Sequence, residues 1–432
     1  MPSRAEPVAG LGEAAPARRL GSNIRAMIIG AIAYAAGLWL QLVMIARFGG
    51  PPAVGAYSFA LALTLPVMLL SGLQLRTLFA SDARGAYSFR EYRLLRMGTT
   101  TLALAAMVPV ALGTDQWRTL SPVLAPICAK AAADALSDIY YGLWQHHERM
   151  GLIAAAYSLN SFASVGFITA AALLGGGTPG MALGSALGSC VSLLFVHLRT
   201  AREPELRGSL APGQAPVQWR RLVRLAREAA PLGVIVLLGA LQVNVPRYFI
   251  QHHAGDAALG LFAAAYQLPA AGTMVVQAIC GAAAPRLARA CTDGDLAGFG
   301  ALTRKLALWA AALGVLGIAA SALFGGPVLA FVFRPEFGSA AAVLVILSGA
   351  ATIGFMATVL GYALTAARVI AVQPAILSAS LAVASGGCAV LVPRYGATGA
   401  AWSIVAASLV QAAWSAVELN RRRESLPVHG PA

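Results

Sequence analysis

Long apolar stretches separated by short polar segments dominate the chain. They cover approximately 24–46, 54–78, 94–113, 120–144, 152–175, 179–198, 229–251, 257–283, 304–324, 339–366, 369–391 and 397–418. Runs of about 20 residues match the roughly 30 Å hydrocarbon core of a bilayer when helical, so the pattern predicts an all-α polytopic membrane protein with about twelve transmembrane helices. Pro66, Pro126, Pro231, Pro246 and Pro269 fall inside these runs. Helix breakers at membrane depth are tolerated where neighbouring helices or a wet cavity satisfy the freed backbone groups, so bent helices around a cavity are expected. The first run is of full length and lacks a small-residue cleavage site, and it reads as an uncleaved first helix.

Composition agrees: 58% of the 432 residues are hydrophobic and 11% are charged, against about 45–50% and about 25% in soluble domains. Mean hydropathy is +0.72. Charged residues are too few to cover soluble domains of this total size. The five cysteines (Cys128, Cys190, Cys280, Cys291, Cys388) lie within or beside apolar runs without metal-ligand spacing, which fits neither a disulfide framework nor a metal site.

A net charge of +14 would suggest nucleic acid in a soluble protein, but the basic residues follow the apolar runs instead. Of 31, four (Arg47, Arg118, Arg334, Arg394) follow odd-numbered runs and two (Lys130, Arg247) lie deep inside runs; the other 25 lie at the termini, after even-numbered runs or at the run ends that adjoin them. The positive-inside rule then puts both termini in the cytoplasm. The chain divides into a tail 1–23, six helices over 24–198, a linker 199–228, six helices over 229–418 and a tail 419–432. The linker has a Pro/Gly-rich middle, and Trp219 to Glu228 combines an arginine face with apolar positions, suiting a short interfacial helix on anionic lipid.

The two halves resemble each other. GGPPAVGAYSFALAL from Gly49 matches AGDAALGLFAAAYQL from Ala254, pairing Gly50 with Gly255, Gly55 with Gly260 and Tyr57 with Phe262; GTPGMA from Gly177 resembles GATGAA from Gly396. The preserved order predicts parallel six-helix repeats, with about 14 extra residues in the second at the stretch from Gly325, and a substrate site between two lobes.

Several segments carry a family resemblance in their order and spacing: ARFGGPPAVGAYSFA, LQLRTLFASDARGAYSFREYRLLR, YYGLWQHHERMGLIAAAYSLN, NVPRYFIQHHAGDAALGLFAAAYQLP, FRPEFGSAAAVLVIL and RYGATGAAWSIV. Over about residues 20–420 the chain resembles the Wzx-type polysaccharide flippases of the MOP superfamily, which also holds MATE exporters and lipid II flippases. The resemblance implies a MATE-like fold and no enzymatic turnover. It also implies transport of an undecaprenyl-diphosphate-linked oligosaccharide across the bacterial inner membrane for surface polysaccharide synthesis. Partners would be this cargo, membrane lipids and the polymerase and glycosyltransferases of the same pathway, with no nucleic acid and no bound cofactor; proton or sodium coupling stays open. The seventh run departs from the family's Asn-x-Asp-Arg: Asn244, Val245, Pro246 and Arg247 lack the aspartate, so no ion role passes to that position.

Lys130, Asp134 and Asp138 recur every four residues and share one helix face. Ionisable groups in membrane spans usually face the bundle interior, so these three, with Asn244 and Arg247, are the candidate substrate-binding residues; the bland reading of Lys130 and Asp134 is an ion pair that locks the helix. Arg247 has no acidic neighbour in its own helix. Its partner is Asp134 or Asp138 across the lobes, the cargo diphosphate, or lipid headgroups. Arg25, Arg76 and Arg286 form a candidate cytoplasmic gate, although positive-inside arginines belong there anyway. His146, His147, His252 and His253 read as interfacial loop residues. Tyr34, Trp39, Gln41 and Asn160 are left without a role. Two other functions compete: a cation-coupled multidrug antiporter of the same fold, and a membrane glycosyltransferase or polymerase, which would need a larger extramembrane loop.

Overall fold

The structure is a computed structural model describing residues 20–82, 86–113, 117–204, 206 and 218–425, and every described element is helical. In chain order the elements are α1 (Leu20–Gly72), α2 (Leu75–Ser81), α3 (Phe89–Leu112), α4 (Trp117–His146), α5 (Met150–Leu173) and α6 (Gly177–Arg202). Then come α7 (Trp219–Thr292), α8 (Leu296–Val332), a 3-10 turn (Pro335–Ala340), α9 (Ala341–Ala366) and α10 (Gln373–Ser425).

The expectation of about twelve helices in two six-helix lobes is corrected. Among the described residues, seven helices are long and apolar enough to cross a membrane. Three pairs of predicted spans are absorbed into α1, α7 and α10, each continuous except for one non-helical residue at a kink: Gly50, Gly255 and Gly396. Two more, over 94–113 and 120–144, correspond to α3 and α4, which fall outside the seven. Arg93 and Arg96 in α3, and Lys130, Asp134 and Asp138 in α4, dilute their apolar character.

The kinks have a local cause. Gly50 (φ 67°, ψ −170°) and Gly255 (φ 75°, ψ −176°) adopt a backbone conformation that disfavours any side chain. After Gly50, Pro51 and Pro52 lack N–H donors and suit only the start of the next helical segment. The sequence matches thus recur as backbone matches, and the second pair, Gly177 (φ 58°) and Gly396 (φ 55°), behaves alike. The stretch from Gly325 expected to be irregular is helical as far as Val332, and only the short segment to Ala340 departs from α-helix.

The kink regions of α1 and α7 pack against one another reciprocally. A Cβ added at Gly55 would fall on the carbonyl oxygen of Asp256, and one added at Gly260 would fall on that of Pro51. Beside this contact Arg47 donates from Nε to the Val332 carbonyl at 3.0 Å and from Nη2 to the Phe331 carbonyl at 2.6 Å. It thereby satisfies carbonyls that the end of α8 leaves unpaired, which gives this basic residue a structural role.

At the other end of the molecule α3 begins with a capping box. The Ser88 N–H donates to Glu91 Oε2 at 2.8 Å while the Glu91 N–H donates to Ser88 Oγ at 3.3 Å. Arg221, in the first turn of α7, donates from Nε to Glu91 Oε1 at 2.6 Å. Trp219 to Glu228, expected as a separate interfacial helix, is therefore the start of α7 and is tied to α3. The middle of the expected linker (207–217), the tail to residue 19 and the last residues from 426 lie outside the described residues.

Burial works against the Glu91 carboxylate, but hydrogen bonds from Arg221 and Ser88 outweigh it and hold its pKa below the ordinary value. A lowered carboxylate pKa contributes stability above its unfolded value and loses it as the pH falls through the folded value. Protection of the Ser88 amide against exchange, taken relative to its intrinsic rate at each pH, is accordingly expected to persist through neutral pH and to fall only below the ordinary carboxylate range. Equal protection at neutral pH in Glu91→Ala and the unaltered protein would show that the carboxylate holds nothing there.

Candidate functional site

A cavity of about 850 Å³ lies between α1, α2, α3, α4, α5 and α7. Its rim and wall include Met27, Gln74, Arg76, Thr77 and Gln145, and it reaches inward to Gln41, Tyr57 and Thr64. Tyr34, Trp39, Tyr141 and Tyr157 add aromatic surface, and α7 closes one side with Gln267, Ala270, Ala271 and Met274.

Helical spacing brings the α4 charges to this wall together. Lys130 Nζ donates to Asp134 Oδ2 at 2.6 Å and to Ser189 Oγ at 3.3 Å. Asn160 Nδ2 donates to the second Asp134 oxygen at 3.1 Å and to Ser189 Oγ at 3.3 Å. The Lys130 side chain is 6% exposed and that of Asp134 is 33% exposed, so both line the cavity and the carboxylate is the more exposed of the pair. One turn along, Arg76 Nη1 donates to Asp138 Oδ1 at 3.3 Å and to Tyr157 Oη at 2.9 Å. The same guanidinium lies over the Tyr141 ring at 5.5 Å, and Tyr34 stacks on Tyr157 at 4.8 Å between centroids.

The other predicted residues are elsewhere. Asn244 is buried, donating from Nδ2 to the Ala240 carbonyl at 2.8 Å and accepting from Arg247 Nη1 at 3.2 Å. Arg247 lies over the Tyr266 ring at 5.6 Å. Neither residue is among those lining this cavity, which Lys130 lines. Asp134 and Asp138, one of the alternatives for the partner of Arg247, are paired with Lys130 and Arg76. Of the three gate arginines only Arg76 enters the cavity wall; Arg25 and Arg286 are exposed outside it. Among the described residues no three His, Cys, Asp or Glu side chains gather in a way that could hold a metal ion.

Sequence reasoning missed Arg96. It lines the cavity, is 6% exposed, and donates from Nε to the Ala135 carbonyl at 2.9 Å. The signal was its place just inside the 94–113 run, obscured by Arg90 and Arg93, which read as ordinary positive-inside charges. Asn160, Tyr34 and Trp39, left without a role, belong to the wall as well. The cavity therefore has three cations (Arg76, Arg96, Lys130) against two carboxylates (Asp134, Asp138), with amide and tyrosine groups around them.

The family model described as polysaccharide biosynthesis protein matches residues 23–291. The capsular polysaccharide biosynthesis protein CapF of Staphylococcus aureus is 24% identical over 328 residues, covering 76% of this chain and 80% of CapF. Among solved structures, an inward-facing multidrug resistance MATE family transporter of the MOP superfamily superposes with a TM-score of 0.71 at 14% identity, covering 93% of this chain and 100% of that one. A MOP superfamily transporter from Pyrococcus furiosus, noted for the reversed polarity of its binding pocket, gives 0.63 at 15% identity, covering 93% and 94%. With its multi-pass helical architecture and the fold of MOP superfamily transporters, the chain belongs to the polysaccharide biosynthesis protein family.

Proposed function

We propose that this protein carries an undecaprenyl-diphosphate-linked oligosaccharide from the cytoplasmic to the outer leaflet of a bacterial inner membrane by alternating access, for surface polysaccharide synthesis. The observation that carries the reading is the charge balance of the cavity, where three cations face two carboxylates amid tyrosines and amides. A diphosphate and several sugars cannot cross hydrocarbon unaided, because unpaired polar and charged groups there are costly. A wet cavity with a surplus cation and sugar-binding side chains removes that barrier without making or breaking a bond. The cavity wall includes Met27, Arg76 and Gln145, which lie near helix ends on the arginine-rich side, while α1 and α7 pack against one another at Gly55 and Gly260, outside that wall. With both termini in the cytoplasm, this is the loading state. Cargo arrives from the glycosyltransferases that build it and leaves to a polymerase.

The same fold serves multidrug antiporters, whose cationic cargo would call for a surplus of carboxylates. Deletion in the native host is expected to leave lipid-linked repeat units on the cytoplasmic face and to reduce surface glycan severalfold, read by glycan staining and by accessibility of the lipid-linked pool. Unchanged glycan with altered resistance to cationic drugs would replace this reading by the antiporter.

A further inference from the structure

Arg96 is buried in the cavity wall with part of its guanidinium unused. Nε is bonded to the Ala135 carbonyl, but Nη1 is buried with no hydrogen-bond partner. Gly72 makes room for it: a Cβ there would stand 2.7 Å from that nitrogen. Among the described residues no carboxylate lies within ion-pair distance of Arg96. The two acids of the cavity are engaged, Asp138 by Arg76 and Asp134 by Lys130 and Asn160. A guanidinium keeps its proton inside a protein, and a buried charge without a counter-charge is costly. The wall thus contains a fixed positive group with no ion-pair partner of its own and with one nitrogen, Nη1, that has no hydrogen-bond acceptor; Asp138, the carboxylate that acts on it electrostatically, is bonded to Arg76.

We infer that Arg96, seated against Gly72, is a binding subsite for a phosphate-class oxyanion, filled during loading by the diphosphate of the lipid-linked cargo. The guanidinium fork suits two oxygens of one phosphate. Its backbone anchor on α4 holds it in place before cargo arrives, so little side-chain freedom is lost on binding. Identification of the anion as the cargo's diphosphate rests on the flippase reading; the anion subsite itself does not.

The test uses purified full-length protein in nanodiscs of zwitterionic lipid, probed with undecaprenyl diphosphate, undecaprenol, inorganic pyrophosphate and phosphatidylglycerol. Arg96→Gln is expected to weaken undecaprenyl diphosphate binding roughly tenfold or more, with Arg96→Lys intermediate and undecaprenol binding unchanged. The ligand-free Arg96→Gln protein should unfold at the same temperature as the unaltered one or higher, because an unmatched buried charge has been removed. A merely structural arginine would give a lower temperature and unchanged affinity, and that result overturns the subsite. Pyrophosphate should raise the unfolding temperature of the unaltered protein; no rise overturns the subsite even if Arg96→Gln fails to fold. Undiminished preference for undecaprenyl diphosphate over undecaprenol in Arg96→Gln removes the subsite and leaves the flippase reading standing. Arg96-dependent binding of pyrophosphate without that lipid preference keeps the subsite, as a site for free phosphate, and removes the flippase reading. Arg96-dependent binding of phosphatidylglycerol alone makes it a headgroup site, overturning the assignment to cargo.

Discussion

Valine at position 55 is expected to abolish transport while the protein still reaches the membrane at normal abundance. The Gly55 position faces the carbonyl oxygen of Asp256, a backbone atom that cannot swing aside as a flexible side chain would. Any side chain must therefore hold α1 and α7 apart at this end. Gly260→Val should do the same through the Pro51 carbonyl. Because interiors are close-packed, a clash of this size moves whole helices instead of being absorbed locally. Gly98→Val supplies the control, since nothing lies within 4 Å of a Cβ added there. A cysteine replacing the buried Ala53, in a background without the native cysteines, should react faster with an impermeant thiol reagent in Gly55→Val. Wild-type transport by Gly55→Val would show that this end need not close in the cycle.

Alanine at Asp134 is expected to be the most destabilising single change in the cavity wall. It leaves Lys130, almost fully buried, with only Ser189 Oγ as a partner. Breaking one side of a buried ion pair costs about 3–5 kcal/mol, which thermal unfolding in detergent will resolve. Lys130→Ala should cost less, because the stranded Asp134 is one-third exposed to the cavity and keeps its bond from Asn160. The double replacement Lys130→Met, Asp134→Leu should recover much of the lost stability. If it also transports normally the pair is a structural lock, whereas stability regained without transport assigns it to the cargo path. Equal stability of Asp134→Ala and the unaltered protein would show that Lys130 is solvated despite its burial.

The sequence made much of this wall readable because its central feature is local. Lys130, Asp134 and Asp138 lie on one helix, so spacing alone aligns them. What it could not supply was partners across helices. Arg76 to Asp138 and Asn160 to Asp134 join different elements, and nothing in their spacing distinguishes Arg76 from Arg25 or Arg286. The surroundings of Arg247 were hidden for the same reason: a lone buried cation suggests a cleft, and spacing does not show that Asn244 and the face of Tyr266 meet it within α7. The number of spans failed for another reason. Hydropathy registers a polar break at Gly49–Pro52 as a boundary, but backbone geometry confines the interruption to one residue. The repeat was legible because left-handed glycines leave a trace in the sequence as well as in the backbone.

The crossing of α1 and α7 has the form of an isologous interface, in which one patch meets its own copy about a two-fold axis. Gly55 and Gly260 are 205 residues apart, and so are Pro51 and Asp256, the residues they touch. In a homodimer one mutation would strike such a contact twice. Here both copies lie in one polypeptide, so each half of the contact is free to diverge. Divergence is visible already: one half presents a proline ring, while the other presents a carboxylate that accepts from Gln251 Nε2 at 2.8 Å. Selection can therefore adjust the strength of closure through position 51 or position 256 separately, a freedom that symmetry would deny to a dimer of identical chains.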